Sequence, residues 1–294
     1  MSSPAPRPAP EAPAAAWRAW RRAMRREDRR ARRAVPCGHP VLRRGYHGPL
    51  DVLERRLASG DGEVLKPGPG ARVLRLGDGL VLKHAPPTRR LDPRDRLGRS
   101  KAVRSLLAAE ALARRGFGVA RPLAAWSRPG GGSYLLLEDL PRHRPLHQAV
   151  LEVRGDERAA LLAAVAATVR ALHRAGVAHR DLKPSNLLVD LEADDLDLRF
   201  VDHDRHRFLP VATPAVLARR DLAALHAGLP PEVRAAERLA ALRAYDAAWT
   251  ERPTWRRHVV PLLAEAAARR HRWRPRRLLS GGNGAALERA AEPG

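Results

Sequence analysis

The spacing of apolar residues changes period several times along the chain. Trp17, Trp20 and Met24 recur at i, i+3 and i+7 among arginines, so residues 17–33 read as a helix with one apolar stripe. From about residue 61 the pattern shortens. Gly62–Lys66, Ala71–Leu76 and Leu80–Lys83 read as strands, the last two joined by a Gly77-Asp78-Gly79 hairpin turn. Residues 101–115 return to a helical period through Val103, Leu106, Leu107 and Leu112, with Gly116 as the stop. Val119–Trp126 and Tyr134–Leu137 read as two more strands around a Pro129–Gly132 turn. Leu161, Leu162, Val165, Val169 and Leu172 then mark an amphipathic helix over 157–175, ended by Gly176. Leu187–Val189 is a short apolar run, and Leu196, Leu198 and Phe200 alternate, so both read as strands. A helix starts in Arg219–Leu225, and Glu237–Trp249 and His258–His271 are two more. The order predicts an α+β chain: a small antiparallel sheet with one helix, then a mainly helical lobe. The expected divisions are an extension over 1–60, partly disordered with one amphipathic helix, lobes over 61–140 and 141–280, and a flexible tail over 281–294.

Composition narrows the partners. The 294 residues are 44% hydrophobic but only 4% aromatic, so a core must be built mostly from Leu, Val and Ala. A single cysteine, Cys37, allows no internal disulfide, which fits a reducing compartment. No signal-peptide core and no run of eighteen apolar residues occurs, so a soluble, unexported protein is expected. A net charge of +23 favours phosphate-bearing partners such as nucleotide, anionic lipid or nucleic acid. It is equally what an arginine-rich, high-GC coding composition yields. Two readings of residues 17–33 stay open: the stripe lies on an anionic membrane surface, or it docks on the protein's own body. Lysine is scarce, with Lys66, Lys83, Lys101 and Lys183 against 51 arginines. A compact ammonium reaches a phosphate as a point charge where a guanidinium fork is bulkier, so these four positions draw notice.

Chemistry concentrates in His179-Arg180-Asp181-Leu182-Lys183-Pro184-Ser185-Asn186, which reads as a kinase catalytic loop. Phosphoryl transfer needs an aspartate to orient the attacking hydroxyl, a cation for the transferring phosphoryl group and an oxygen ligand for Mg²⁺. Asp181, Lys183 and Asn186 fill those roles in order. A bare HRD in so basic a chain would mean little; the Lys, Pro and Asn in register make it specific. Lys83 ends a strand in Val81-Leu82-Lys83, the place of the lysine that holds the α- and β-phosphates. Glu110, on the following helix, is its expected carboxylate partner. Asp202 follows the strand ending at Phe200 and is the expected second Mg²⁺ ligand. Asp204 is expected to solvate that turn, and Asp221 to brace the catalytic loop. Gly68 and Gly70, in a turn between two strands, are placed to cover nucleotide phosphates, although the usual GxGxxG is absent. Glu138 and Leu140 stand where a hinge would offer its backbone to an adenine edge.

Taken together the chain resembles the bacterial lipopolysaccharide kinase family, the kinases of core heptose and Kdo, over about residues 61–277. The resemblance rests on Phe200-Val201-Asp202-His203-Asp204-Arg205 in place of DFG, on the lack of an Ala-Pro-Glu motif and long activation segment, and on Arg219–Leu225, Leu242-Arg243-Ala244-Tyr245 and the arginine-rich end. The catalytic loop itself is closer to eukaryotic-type Ser/Thr kinases. The family resemblance implies a bilobal protein-kinase-like fold using ATP and Mg²⁺. It implies an acceptor hydroxyl on lipopolysaccharide core or another lipid-linked sugar, met at the cytoplasmic face of the inner membrane, with no specific nucleic acid partner. A Ser/Thr protein kinase with a minimal second lobe is the alternative. A basic lipid- or nucleic-acid-binding protein on a dead kinase scaffold ranks third, because the active-site inventory is complete.

Overall fold

The computed structural model describes residues 6–9, 12–35, 41–66, 71–87, 100–128 and 132–279. Its first lobe is an antiparallel sheet of six strands: β1 (Val41–Arg43), β2 (Glu63–Lys66), β3 (Arg72–Gly77), β4 (Leu80–Ala85), β5 (Pro122–Arg128) and β6 (Gly132–Glu138), in the order β1-β5-β6-β4-β3-β2. Asp78 and Gly79, at φ 52° and 71°, close the β3–β4 hairpin. Positive φ at both central residues suits the twist of the strands and favours this Asp-Gly pair.

Each face of the sheet carries one helix. Helix α2 (Leu50–Ser59) lays Leu50, Leu53 and Leu57 on Leu74, Leu82 and Trp126. Helix α3 (Lys101–Ala113) lays Ala102, Val103 and Leu106 on Leu42, Ala125 and Leu135 of the other face. Ser100 caps α3, its hydroxyl accepting from Val103 N at 3.2 Å, which satisfies one of the helix's unpaired amides. The sheet therefore begins at residue 41, earlier than the predicted boundary at 61. Val41-Leu42 is too short to show a strand period. It becomes a strand by pairing with Trp126 and Ala125 of β5.

The second lobe is helical. It comprises α4 (Leu146–Glu152), α5 (Gly155–Arg174), α6 (Ala215–Gly228), α7 (Ala235–Tyr245) and α8 (Arg252–Leu279). Short strands β7 (Arg144–Pro145), β9 (Leu187–Asp190) and β10 (Asp197–Phe200) lie in the order β10-β9-β7, and β8 (Val177–Ala178) pairs with β11 (Arg207–Phe208). Leu162, Val165, Val169, Leu172, Leu182 and Phe200 centre its core. Gly176 is required before β8. Its φ is +78°, and a Cβ there would sit 2.5 Å from Val211 O and 2.7 Å from Leu209 O. The predicted 237–249 helix breaks at Asp246, whose carboxylate accepts from Ala248 N at 3.2 Å. The predicted 258–271 helix runs well past both ends. Val119 makes only an isolated bridge to Phe200, so β5 starts at Pro122.

Helix α1 (Ala14–Arg33) settles one open choice. Trp17, Trp20 and Met24 are 5%, 5% and 1% exposed, within the core of the second lobe. Burial of such side chains is worth about 1.5–3 kcal/mol each. Arg21 donates to the carbonyls of Arg174 at 2.7 Å and Pro210 at 3.3 Å. The Asp28 carboxylate accepts from Arg115 at 2.6 Å and Arg114 at 3.0 Å. The apolar stripe is thus consumed inside the protein, which corrects its reading as a membrane-facing stripe. Only the arginine face, with Arg18, Arg22, Arg26 and Arg29, is left to solvent. Among the described residues no helix is long and apolar enough to cross a membrane.

Candidate active site

The catalytic loop hangs between β8 and β9 and is fixed from below by Asp221. That side chain is 1% exposed, on α6. Its two oxygens accept from His179 N and Arg180 N, each at 2.7 Å. Two charge-assisted hydrogen bonds hold Arg180 at φ +67°, a left-handed conformation costly for a non-glycine residue. Asp221 is in turn 3.3 Å from His173 Nε2, and His173 Nδ1 is 2.8 Å from the Tyr245 hydroxyl. The bracing expected of Asp221 is present; His173 and Tyr245 belong to it and had no motif to announce them.

Above this brace the loop presents its functional side chains together. Lys183 Nζ lies 3.0 Å from Asp181 Oδ1. Asn186 Nδ2 donates to Asp181 O at 2.8 Å, which leaves the Asn186 amide oxygen as an acceptor. Antiparallel pairing of β9 with β10 sets Phe200 opposite Leu187, and Val201 N donates to Asn186 O at 3.0 Å. Asp202 therefore emerges beside Asn186, at φ +64°. Lys83 reaches across from β4 to place Nζ 2.6 Å from Asp202 Oδ1. One amide oxygen and one carboxylate fit Mg²⁺, a hard cation usually held by one or two carboxylates, waters and substrate phosphates. Among the described residues no group of three His, Cys, Asp or Glu side chains converges on a metal position.

Other expected residues are placed differently. Glu110 does not meet Lys83: its Oε1 accepts from Arg44 Nε at 2.6 Å. Glu110 is nine residues beyond Lys101, about half a turn around α3 at 3.6 residues per turn, so it points away from the cleft. The face turned to the cleft carries Lys101 and Ser105, which line a small cavity with Lys83 and Asp204. Lys101 Nζ is 3.3 Å from Asp204 Oδ2, so Asp204 is an ion-pair partner and not only a turn-solvating group. Glu138 takes Arg121 N at 2.8 Å and Arg121 Nε at 3.3 Å. Leu140 N donates to Asp139 Oδ1 at 2.9 Å, and Leu140 O accepts from His143 N at 3.0 Å. The hinge amide and carbonyl of Leu140 are thus engaged internally. Gly68 and Gly70 lie outside the described residues.

Two features went unread in the sequence. Trp273, on α8, sets its ring 5.5 Å from Lys183 Nζ, a cation–π contact beside Asp181. Behind Asp202 lies a buried histidine cluster. The His179 and His206 rings are 4.2 Å apart and those of His203 and His206 5.0 Å. Neither ring nitrogen of any of the three has a hydrogen-bond partner among the described residues. Burial drives all three imidazoles toward the neutral form, His203 down to about 3, with His179 adding to the effect on His203. They behave as aromatic packing, which is why His203 can stand where other kinases place a phenylalanine.

Comparison with known proteins bears on the family and the fold. Residues 90–256 match the family model described as the lipopolysaccharide kinase (Kdo/WaaP) family. A solved structure of WaaP in complex with acyl carrier protein is similar at a TM-score of 0.54 and 23% identity, covering 79% of this chain and 98% of that one. At that identity the likeness establishes the fold: two lobes of the WaaP kind. The bifunctional kinase-methyltransferase WbdD is more distant, at a TM-score of 0.44 and 17% identity over 79% of this chain and 52% of that one. No curated protein sequence matches the chain.

Proposed function

We propose, from the premise that the chain belongs to the lipopolysaccharide kinase (Kdo/WaaP) family, that it transfers the γ-phosphoryl group of ATP to a sugar hydroxyl of lipopolysaccharide core, a heptose or Kdo. The work is done at the cytoplasmic face of the inner membrane. The family makes the chain a phosphotransferase; the observation that carries the detailed reading is the convergence of Asp181, Lys183, Asn186, Lys83 and Asp202 on one cleft between the lobes.

Each residue then has a defined task. Asp181 accepts a hydrogen bond from the acceptor hydroxyl and orients it for in-line attack. Lys183, 3.0 Å from Asp181 Oδ1, turns its ammonium to the charge that develops on the transferring phosphoryl oxygens. Lys83 leaves Asp202 for the α- and β-phosphates. Mg²⁺, held by the Asn186 amide oxygen and Asp202, would neutralise phosphate charge. Catalysis comes mainly from positioning and preorganised charge. Only twelve residues separate Asp202 from α6, too few for the long segment on which a protein substrate would dock. The exposed arginine face of α1 supplies a surface for an acceptor carried on anionic lipid. The test is purified protein with Mg²⁺ and labelled ATP, offered core lipopolysaccharide or a generic protein. Label on lipopolysaccharide that Asp181→Ala abolishes is expected; label on the protein substrate instead would overturn the acceptor.

A second partner is favoured by a cavity of about 430 Å³ in the second lobe. It is lined by Leu146, Leu162, Leu225, Leu242, Trp255 and Leu262, with His226 and Arg238 among few polar neighbours. Burial drives the His226 imidazole down to about 4, so it stays neutral. The Arg238 guanidinium is spent on the carbonyls of His226, Val233 and Pro230. Such a lining fits an aliphatic chain. The acyl group of an acyl carrier protein, the partner seen with WaaP, has that chemistry. Native mass spectrometry with acylated and unacylated carrier protein tests it: equal association would remove the cavity from the contact.

A further inference from the structure

Kinase catalysis requires the helix of the first lobe to be held in place against the site, usually by a carboxylate that pairs with the strand lysine. Among the described residues no carboxylate of α3 meets Lys83. Glu110 is bound by Arg44 on the far side of α3. Lys83 pairs with Asp202 instead. The residue that α3 turns to the cleft one turn after Lys101 is Ser105, which is 3% exposed and whose hydroxyl has no hydrogen-bond partner among the described residues. A hydroxyl cannot fix an ammonium as a carboxylate does.

What joins α3 to the metal-binding turn is a pair of reversed polarity. Lys101 Nζ, on the first turn of the helix, lies 3.3 Å from Asp204 Oδ2 in the 203–205 turn. The side chains are 39% and 14% exposed, so the contact sits at the edge of the cleft. Lys101 is one of only four lysines in a chain of 51 arginines, and a second of the four, Lys83, lines the same small cavity. Asp204 is two residues beyond Asp202, so the two share one short turn.

We propose that the Lys101–Asp204 pair is the interlobe tie that positions the site: it locks α3 onto the turn bearing Asp202 and substitutes for the missing lysine–carboxylate pair. Because both partners of the tie are encoded side chains and the segment to α6 is short, the site is assembled without a modification to switch it on. Lys101 and Asp204 are positioning residues; neither touches the reacting atoms. Their role refines the phosphotransfer reading and rests on it for the kinetic arm alone.

The test is a charge cycle read two ways. Lys101→Met and Asp204→Asn should each lower kcat at least tenfold and leave the KM for ATP within threefold. The double variant should be no worse than either single one. The exchanged pair, Lys101→Asp with Asp204→Lys, should regain most of the rate, and Lys101→Arg should retain it. In the protein without nucleotide, amide hydrogen exchange over residues 101–113 should quicken in both single variants and slow again in the exchanged pair. Exposed pairs contribute little to global stability, so melting temperatures should stay near that of the parent. Wild-type kcat and exchange in either single variant, or losses that multiply in the double, would overturn the proposal. Should the parent transfer no phosphate to any acceptor, the phosphotransfer reading falls, and the exchange arm still decides whether the tie exists.

Discussion

Lys83 Nζ and Asp202 Oδ1 lie 2.6 Å apart, so the strand lysine and the expected metal carboxylate neutralise each other across the cleft. On the proposed function, nucleotide entry exchanges this pair for two others, Lys83 with phosphate and Asp202 with Mg²⁺. Lys83→Ala removes a preorganised cation and should cost roughly 10²–10³ in kcat/KM. Asp202→Asn should cost at least as much, with a raised Mg²⁺ requirement. Lys83→Ala should also remove the cation that competes with metal for Asp202 Oδ1, so Mg²⁺ binding without nucleotide, read by calorimetry, should tighten. Unchanged Mg²⁺ affinity in Lys83→Ala would show that the pair does not gate the metal.

Helix α1 is read differently once its contacts are known. Arg115 is 2% exposed and pairs with Asp28, itself 9% exposed, at 2.6 Å. Removing one partner of a buried pair strands the other, at a cost of about 3–5 kcal/mol. Asp28→Ala should therefore remove a large fraction of a typical domain's stability and lower the urea midpoint in proportion. Removal of residues 1–35 should destabilise both lobes, because α1 touches the ends of α3 and α5. A truncated protein that melts like the parent would refute this.

The fates of α1 and of Glu110 show what the sequence could and could not disclose. Helical periodicity and the catalytic-loop spacing are local, so α1, α5 and the Asp181–Asn186 constellation were legible. Periodicity gives a stripe but not what covers it; only the packed lobe shows Trp17 and Trp20 inside. Glu110 is the carboxylate that the sequence offers on the right helix. Its phase, half a turn from Lys101, is local information that was available. Arg44 was not, since it reaches Glu110 from β1, whose pairing depends on residues eighty positions away. Trp273 meets Lys183 from the far end of the chain, a contact no spacing rule supplies.

Acid should loosen the protein. The imidazoles of His179, His203, His206 and His226 are all held below their ordinary value, chiefly by burial. The unfolded chain then binds more protons than the folded one at pH values below about 6.5, so stability is full above that pH and falls as pH drops toward the folded values. For His226, lowered from 6.5 to about 4, the loss by pH 5 is about 2 kcal/mol. Thermal melts at pH 7.5 and 5.0 should show a clear drop, and His226→Leu should make the drop smaller. Equal midpoints at the two pH values would contradict the neutral, buried assignment.

The Tyr245 hydroxyl, 2.8 Å from His173 Nδ1, is the outermost member of the chain that runs through His173 to Asp221 and the catalytic-loop amides. Burial pushes the phenol well above its ordinary value, so it remains a neutral donor or acceptor throughout the working range. Tyr245→Phe keeps the ring against Trp249 and deletes only the hydroxyl. It leaves a buried imidazole nitrogen unpaired, at a cost of about 1–3 kcal/mol. Because Asp221 sets the strained Arg180 conformation, loss of the anchor should reach the loop. The expectation is a several-fold fall in kcat with the KM for ATP unchanged. Asp221→Asn, which weakens both amide contacts at once, should cost far more rate than Tyr245→Phe. If Tyr245→Phe loses stability but keeps the parental kcat, the network serves the core alone, and the loop is held by Asp221 without help from His173.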